Sequence, residues 1–407
     1  MKTFFRTSAV VPKLKVANVA HNVGEIKKHI IDASKANVGL VVFPELSITG
    51  YTSGDLFAQP LLLHEALEGL TTLAKVTVGL NLVAVVGLPL EYNGKLYNVA
   101  AVLYDGSVKG FIPKSYLPNY GEFYEARWFT SGATIKHAEF RLGKTLIPFG
   151  TNILFDFPAW EGLMLGVEIC EDLWAPIPPS SLQSLAGATV IANLSASNEL
   201  VGKAHYRCQL VAGQAARTRT AYIYTAAGVD ESTTDVVFGG HAMIYENGTK
   251  LVENTRYNRE ASTITTEIDL EHLAVDRLKS NTFSAPVDII TEYERIAIDM
   301  PLQTDTALTR AIDPHPFVPS NPASRRERTQ EIFTIQATGL ATRLKNTGIQ
   351  KMVIGLSGGL DSTLALLVMK EAVEILKLDT ENIYAYTMPG FATSGRTKKN
   401  AELLAKQ

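Results

Sequence analysis

Cysteine is scarce: the 407 residues include two, Cys170 and Cys208. Two thiols exclude a disulfide framework and fit a reducing, cytoplasmic setting. No Cys/His grouping has zinc-ligand spacing, so a structural zinc is not expected. Excess charge is also missing. A net charge of −3 gives no reason to expect nucleic acid or a membrane surface as partner. The apolar run Leu80–Leu90 contains Asn81, Gly87 and Pro89 and is too short to span a bilayer. The start, Met1–Arg6, lacks the apolar core of a signal peptide. No Gly-x-Gly-x-x-Gly follows a strand, which argues against a dinucleotide-binding oxidoreductase. No internal repeat or low-complexity segment stands out.

What is present divides into three regions. To about residue 275, short β-rich runs recur: Leu40–Phe43, Leu82–Leu88, Val99–Tyr104, Val108–Ile112, Leu163–Ile169, Val190–Leu194, Ala221–Ala226, His241–Tyr245 and Ser262–Ile268. Helical stretches Asn22–Lys35, Gln59–Val78 and Lys203–Arg219 fall between them. Tyr104-Asp105-Gly106-Ser107 and Tyr245-Glu246-Asn247-Gly248 are hairpin signals. Hairpins mixed with helices predict an α/β fold with a mixed sheet layered by helices. Residues 276–321 carry Pro286, Pro301, Pro314, Pro316 and Pro319 and read as an extended linker. Residues 322–407 read as helix Pro322–Lys345, strand Gln350–Leu356, a Ser-Gly-Gly loop, helix Thr363–Leu376, strand Ile383–Met388 and helix Thr397–Lys406. A β-α-β-α start alone leaves sheet edges unpaired, so the expectation is a truncated second domain.

Three reactive side chains stand just past strands. Cys170 follows Leu163–Ile169, Glu45 follows Val41-Val42-Phe43-Pro44, and Lys114 follows Lys109–Pro113. A cysteine exposed at a strand end is placed to attack a carbonyl, provided a base or a positive charge lies near. Glu45 could be that base, and Lys114 could hold a developing oxyanion. Cys208, inside a helix, reads as structural, as do His205 and His241. Ser357-Gly358-Gly359-Leu360-Asp361-Ser362 joins an apolar strand to a helix. Its glycines let backbone N–H groups close on an anion at the helix start. It is not a Walker A loop, because no Gly-Lys-Ser/Thr follows.

Phe43-Pro44-Glu45-Leu46, Pro113-Lys114-Ser115-Tyr116-Leu117-Pro118 and Glu168-Ile169-Cys170-Glu171-Asp172 resemble, in order, the three motifs of the nitrilase (carbon–nitrogen hydrolase) superfamily. The resemblance implies a four-layer αββα sandwich over residues 1–275 and a catalytic triad of Glu45, Lys114 and Cys170. The Ser357–Ser362 loop resembles the pyrophosphate loop of N-type ATP pyrophosphatases, which implies the start of a Rossmann-like parallel domain. The two together, with Thr387-Met388-Pro389-Gly390-Phe391-Ala392-Thr393-Ser394, resemble the glutamine-dependent NAD⁺ synthetase family of carbon–nitrogen ligases.

That resemblance implies further roles. Tyr51, Tyr120 and Phe123 would wall a glutamine site. Glu171 and Ser197 would bind glutamine's amino and carboxylate ends, with Lys203 near the carboxylate. Glu125 would orient the triad. Ser357, Gly358, Gly359, Asp361, Ser362, Thr387 and Met388 would meet ATP, and Asp361 would meet Mg²⁺. Partners would be glutamine, ATP and deamido-NAD⁺, with no cofactor in the glutaminase domain and a homo-oligomer overall. In the family, ammonia made in the first domain aminates deamido-NAD⁺ in the second, releasing AMP and pyrophosphate. The 407-residue chain alone is expected to hydrolyse glutamine only. A stand-alone amidase and a non-catalytic scaffold are the alternatives.

Overall fold

The computed structural model describes residues 4–283, 292–303, 307–388, 390 and 394–406. It divides into two compact units, Met1–Ala311 and Ile312–Gln407. Pro286, Pro389, Phe391, Ala392 and Thr393, on which part of the sequence reading fell, lie outside the described residues.

In the first unit, apolar residues on both faces of successive strands require cover on both sides. Leu40, Val42, Val83 and Val85 point to one core, whereas Val41, Ala84 and Val86 point to another. Among the described residues, an eight-stranded sheet orders its strands Ser262–Asp269, Phe4–Val11, Leu40–Val42, Val83–Tyr92, Lys95–Tyr104, Ser107–Pro113, Thr145–Phe149 and Ala138–Leu142. A seven-stranded sheet runs Thr249–Glu253, Ala242–Glu246, Ala221–Ala226, Val190–Ser195, Met164–Ile169, Ile153–Asp156 and Glu294–Ala297. Both are mixed: Phe4–Val11 pairs antiparallel with Ser262–Asp269 and parallel with Leu40–Val42.

The central core lies between the sheets, where Val42, Val85 and Val102 share a cluster with Val167, Ala192 and Ile223. Helices Val19–Lys35 and Pro60–Val76 cover the outer face of the first sheet through Ile26, Ile30, Leu70 and Leu73. Asn18 caps the first of these, its Oδ1 accepting from His21 N at 3.1 Å. Helix Lys203–Thr218 covers the second sheet, with Val211 and Ala215 against Ile191 and Tyr222. The order helix, sheet, sheet, helix is the expected four-layer sandwich. Both expected hairpins form, pairing Tyr104 with Ser107 and Glu246 with Thr249.

The stretch read as a linker differs from that reading. Glu294–Ala297 adds a parallel strand beside Ile153–Asp156. Arg310 donates to both Glu246 oxygens at 2.6 and 2.8 Å. A four-residue strand with one buried-facing Ile296 is too short to show as periodicity, yet it satisfies an otherwise unpaired edge.

In the second unit, strands Met352–Gly355 and Ile383–Tyr386 pair in parallel. Helices Pro322–Thr347 and Leu360–Ile375 pack through Ala341, Leu344, Met369 and Val373. No helix of the described residues is long and apolar enough to cross a membrane.

Candidate active site and phosphate loop

The three reactive residues leave three different strands and meet. Glu45 N donates to Ser195 O at 3.3 Å, which ties the turn after Leu40–Val42 to the end of Val190–Ser195 in the other sheet. Lys114, 1% exposed, sends Nζ to Glu45 Oε1 at 2.6 Å and to Glu125 Oε1 and Oε2 at 2.6 and 2.9 Å. Asn98 Nδ2 also donates to Glu45 Oε1, at 2.6 Å. The other oxygen, Glu45 Oε2, is buried and has no hydrogen-bond partner among the described residues. One carboxylate oxygen is thus fixed and the other is left available to take a proton.

Burial alone would lower the Lys114 ammonium, but Glu125 and Glu45 raise it well above the ordinary lysine value. It stays a cation. Burial raises the Glu125 carboxyl against the pull of Lys114. Tyr51 OH donates to Glu125 Oε1 at 2.8 Å. Tyr51 therefore braces Glu125, a contact beyond its expected role as a wall.

Cys170 begins the 3₁₀ turn Cys170–Leu173, with φ of 46°. A non-glycine residue in the left-handed region is strained by about 1–2 kcal/mol. Asp172 holds the turn: Oδ2 accepts from Ile169 N at 2.9 Å, and Oδ1 accepts from Ser115 N at 3.0 Å and Tyr116 N at 2.8 Å. One carboxylate thereby locks the cysteine turn to the loop after Lys114. The expectation that Cys170 is exposed is corrected, since it is 5% exposed. Segments distant in sequence cover it, and Tyr51, Lys203, Arg207 and Tyr224 all lie within electrostatic reach. Burial and the Glu45 charge push the thiol up, and Lys114 only partly opposes them. The resting thiol keeps its proton, so attack requires transfer to a base.

Gly87 makes the close approach possible. A Cβ there would lie 2.3 Å from Leu46 N and 3.0 Å from the Glu45 carbonyl carbon. Gly87→Ala is therefore expected to destabilise the fold by about 1–3 kcal/mol, as overpacking does. A denaturant midpoint equal to the parent's would refute this.

The remaining expected pocket residues gather around the thiol's approach. Tyr120 OH donates to Glu171 Oε1 at 2.8 Å. Lys203 Nζ lies 5.3 Å from the Phe123 ring centre and 5.6 Å from that of Trp174, and it donates to Asn198 Oδ1. Ser197 is buried and its Oγ accepts from Arg207 Nη2 at 3.2 Å. A cleft of about 230 Å³ opens beside Tyr51 and Phe123, with Glu122, Tyr124 and Asp235 in its wall.

Asn98 and Arg207 went unseen in the sequence, and Asp172, quoted within the third motif, carried no assigned role. Asn98 carried a faint signal, a lone amide inside the apolar run Leu96–Tyr104. His241, buried, and Cys208, half-buried, both bond the exposed Glu253, and His205 bonds Gln209 at 3.0 Å on its own helix.

In the second unit, Ser357, Gly358 and Gly359 follow the end of Met352–Gly355, and Thr387 and Met388 follow the end of the adjacent parallel strand Ile383–Tyr386. All therefore sit at the carboxyl edge of the strands, where open α/β sheets take their ligands. Gly358 has φ of 77°, and a Cβ there would meet Thr397 O at 1.9 Å. Ser362 Oγ donates to Gly359 O at 3.2 Å and lies 3.1 Å from Ser357 Oγ. Asp361 is exposed in the first turn of Leu360–Ile375. A lone carboxylate beside a glycine loop could hold Mg²⁺, which binds through one or two carboxylates plus substrate phosphates.

Comparisons with known proteins agree with this division. Residues 6–277 match the carbon-nitrogen hydrolase family model, and residues 333–407 match the NAD synthase model. The chain is 38% identical over 409 residues to the glutamine-dependent NAD(+) synthetase of Mycobacterium tuberculosis, covering 99% of this chain and 60% of that protein. It is 32% identical over 371 residues to the Thermotoga maritima protein of the same name, covering 90% of this chain and 57% of that one. It thus spans about 60% of the length of the first of these relatives. A glutamine-dependent NAD(+) synthetase from Cytophaga hutchinsonii superimposes with a TM-score of 0.59 at 22% identity, over 99% of this chain and 63% of that one. An amidase from Nesterenkonia sp. gives 0.53 at 18%, over 69% and 95%. These two likenesses speak to the fold.

Proposed function

The chain belongs to the carbon–nitrogen hydrolase family, and on that premise we propose that its first unit hydrolyses the side-chain amide of glutamine to feed ammonia to NAD⁺ synthesis. The observation that carries this reading is Lys114 Nζ held at 2.6 Å by both Glu45 and Glu125, with Glu45 Oε2 left unpartnered. Glu45 takes the Cys170 proton as the sulfur attacks the amide carbon. Lys114 supports the oxyanion. The proton returns to the leaving nitrogen and ammonia departs. Water, activated by Glu45, then resolves the thioester to glutamate. Tyr120 and Phe123 wall the substrate, Tyr51 and Glu125 brace the triad, Glu171 takes the amino group, and Ser197 and Lys203 take the carboxylate.

The relatives named as glutamine-dependent NAD(+) synthetases support the rest of the reading. ATP phosphates would rest on Ser357, Gly358, Gly359 and Ser362, near Thr387 and Met388. Asp361 would hold Mg²⁺, which would supply charge neutralisation while the carboxylate of deamido-NAD⁺ is adenylated. Ammonia release from glutamine, compared with release from simple aliphatic amides, tests the first step. Equal turnover of both would favour a general amidase. In a protein that forms NAD⁺ with this loop, Asp361→Ala is expected to remove NAD⁺ formation and spare glutaminase activity. Normal NAD⁺ output from that variant would clear Asp361 of any role.

A further inference from the structure

Arg207 lies outside every motif, yet it is a fully enclosed cation near the thiol. Helix Lys203–Thr218 carries it inward to 0% exposure. Nη2 donates to Ser197 Oγ at 3.2 Å and Asn198 O at 3.1 Å. Nη1 donates to Glu199 Oε1 at 3.1 Å and His241 Nδ1 at 2.9 Å. A guanidinium only donates, so Nδ1 is the acceptor and the ring hydrogen sits on Nε2. Nε2 donates to Glu253 Oε1 at 2.7 Å. Cys208, His241 and Glu253 bring possible metal-ligand atoms within 4.8 Å of one another. This tautomer closes Nε2 to a metal, so the cluster serves as Arg207's outer support.

Burying a guanidinium is costly unless its donors are matched. Here the two terminal nitrogens are matched by Ser197, Asn198, Glu199 and His241, while Nε has no partner among the described residues. Asn198 is the next link, since its Nδ2 donates to Glu122 Oε1 at 2.5 Å and its Oδ1 accepts from Lys203. Lys203 forms no ion pair with a carboxylate among the described residues, while Arg207 pairs with Glu199, which Arg256 shares. Burial lowers the Lys203 ammonium between its two aromatic rings, so an incoming carboxylate would supply the counter-charge that favours its cationic form.

We propose that Arg207 is a positioning residue for substrate specificity: it fixes the Ser197–Asn198 turn so that Ser197 and Lys203 meet the α-carboxylate of an amino-acid amide. This rests on the glutaminase reading. Arg207 does not touch the reacting amide, so its loss acts on recognition and spares the nucleophile. Lysine cannot replace it, because a single ammonium cannot span acceptors on both sides as the planar fork does.

The test measures steady-state ammonia release from glutamine by the parent, Arg207→Lys and Arg207→Gln, alongside the rate of Cys170 alkylation by iodoacetamide, a neutral amide without an α-carboxylate. The expected result is a KM for glutamine raised about tenfold or more, with kcat and alkylation within about threefold of the parent. If the Arg207 variants do not fold, Glu199→Gln, which keeps one of the two acceptors and removes the charge shared by Arg207 and Arg256, is expected to raise KM about threefold at constant kcat. A parallel fall of kcat and alkylation rate would make Arg207 merely structural and overturn the proposal. So would an unmoved KM in an active protein. A parent that alkylates at Cys170 but releases no ammonia from glutamine would bring down the glutaminase reading and this proposal together.

Discussion

Cys170→Ala is expected to bring glutamine hydrolysis to background, while Cys208→Ala leaves it near the parent rate. Covalent catalysis has no second nucleophile to fall back on here. Cys208 bonds Glu253 at 3.6 Å in the outer network and does not contact the triad. Alanine tolerates the left-handed turn about as well as cysteine, and Asp172 still holds the backbone at three points. The melting temperature should therefore stay close to the parent's, separating lost chemistry from lost fold. Mass spectrometry adds a second check: a diazo-ketone analogue of glutamine should add one covalent mass, on Cys170. Substantial turnover in the alanine variant, or labelling elsewhere, would end the triad assignment.

The next largest effect is expected from Glu45→Gln, a fall in kcat of about 10²–10⁴-fold, the usual contribution of a positioned base. Glutamine keeps an oxygen for Lys114 and Asn98 but puts an amide nitrogen where the unpartnered Oε2 stands. The site keeps its shape and loses its proton acceptor. KM should change little, because the base acts mainly in the transition state. A large rise in KM at normal kcat would instead make Glu45 a substrate ligand.

Much of this site could be read in the chain because its chemistry coincides with abrupt changes of residue type. Glu45, Lys114 and Cys170 each end an apolar run, and strand ends are where side chains from different segments converge. What escaped was the surrounding shell. Arg207 looks like any charged residue on an amphipathic helix, and its burial comes from Ser197, Glu199 and His241, which no local pattern connects to it. Cys170 was expected to be exposed for the same reason, since its cover is assembled from afar. Strand Phe4–Val11 was missed because Arg6, Thr7 and Ser8 dilute its apolar pattern. Thr7 and Ser8 are buried all the same, bonded to Leu40 O at 3.2 Å and Thr265 Oγ1 at 2.7 Å. Asn93-Gly94 is a hairpin signal that was overlooked, and it joins Val83–Tyr92 to Lys95–Tyr104. The four-residue strand Glu294–Ala297 had no such marker.

The Lys114 bridge has a consequence for the whole catalytic cycle. With Glu125 ionised, its carboxylate, that of Glu45 and the Lys114 ammonium leave this cluster one surplus negative charge. In the proposed reaction that charge is never created or destroyed. It begins on Glu45, passes to sulfur as the proton crosses, and moves to the substrate oxygen in the tetrahedral adduct. It returns to Glu45 when the departing nitrogen takes the proton. A water-poor cavity resists any change in its total charge far more than a rearrangement of it. Burial raises the Glu125 carboxyl, and Glu125→Gln would fix that position neutral, leaving Glu45 as the one carboxylate on the Lys114 ammonium.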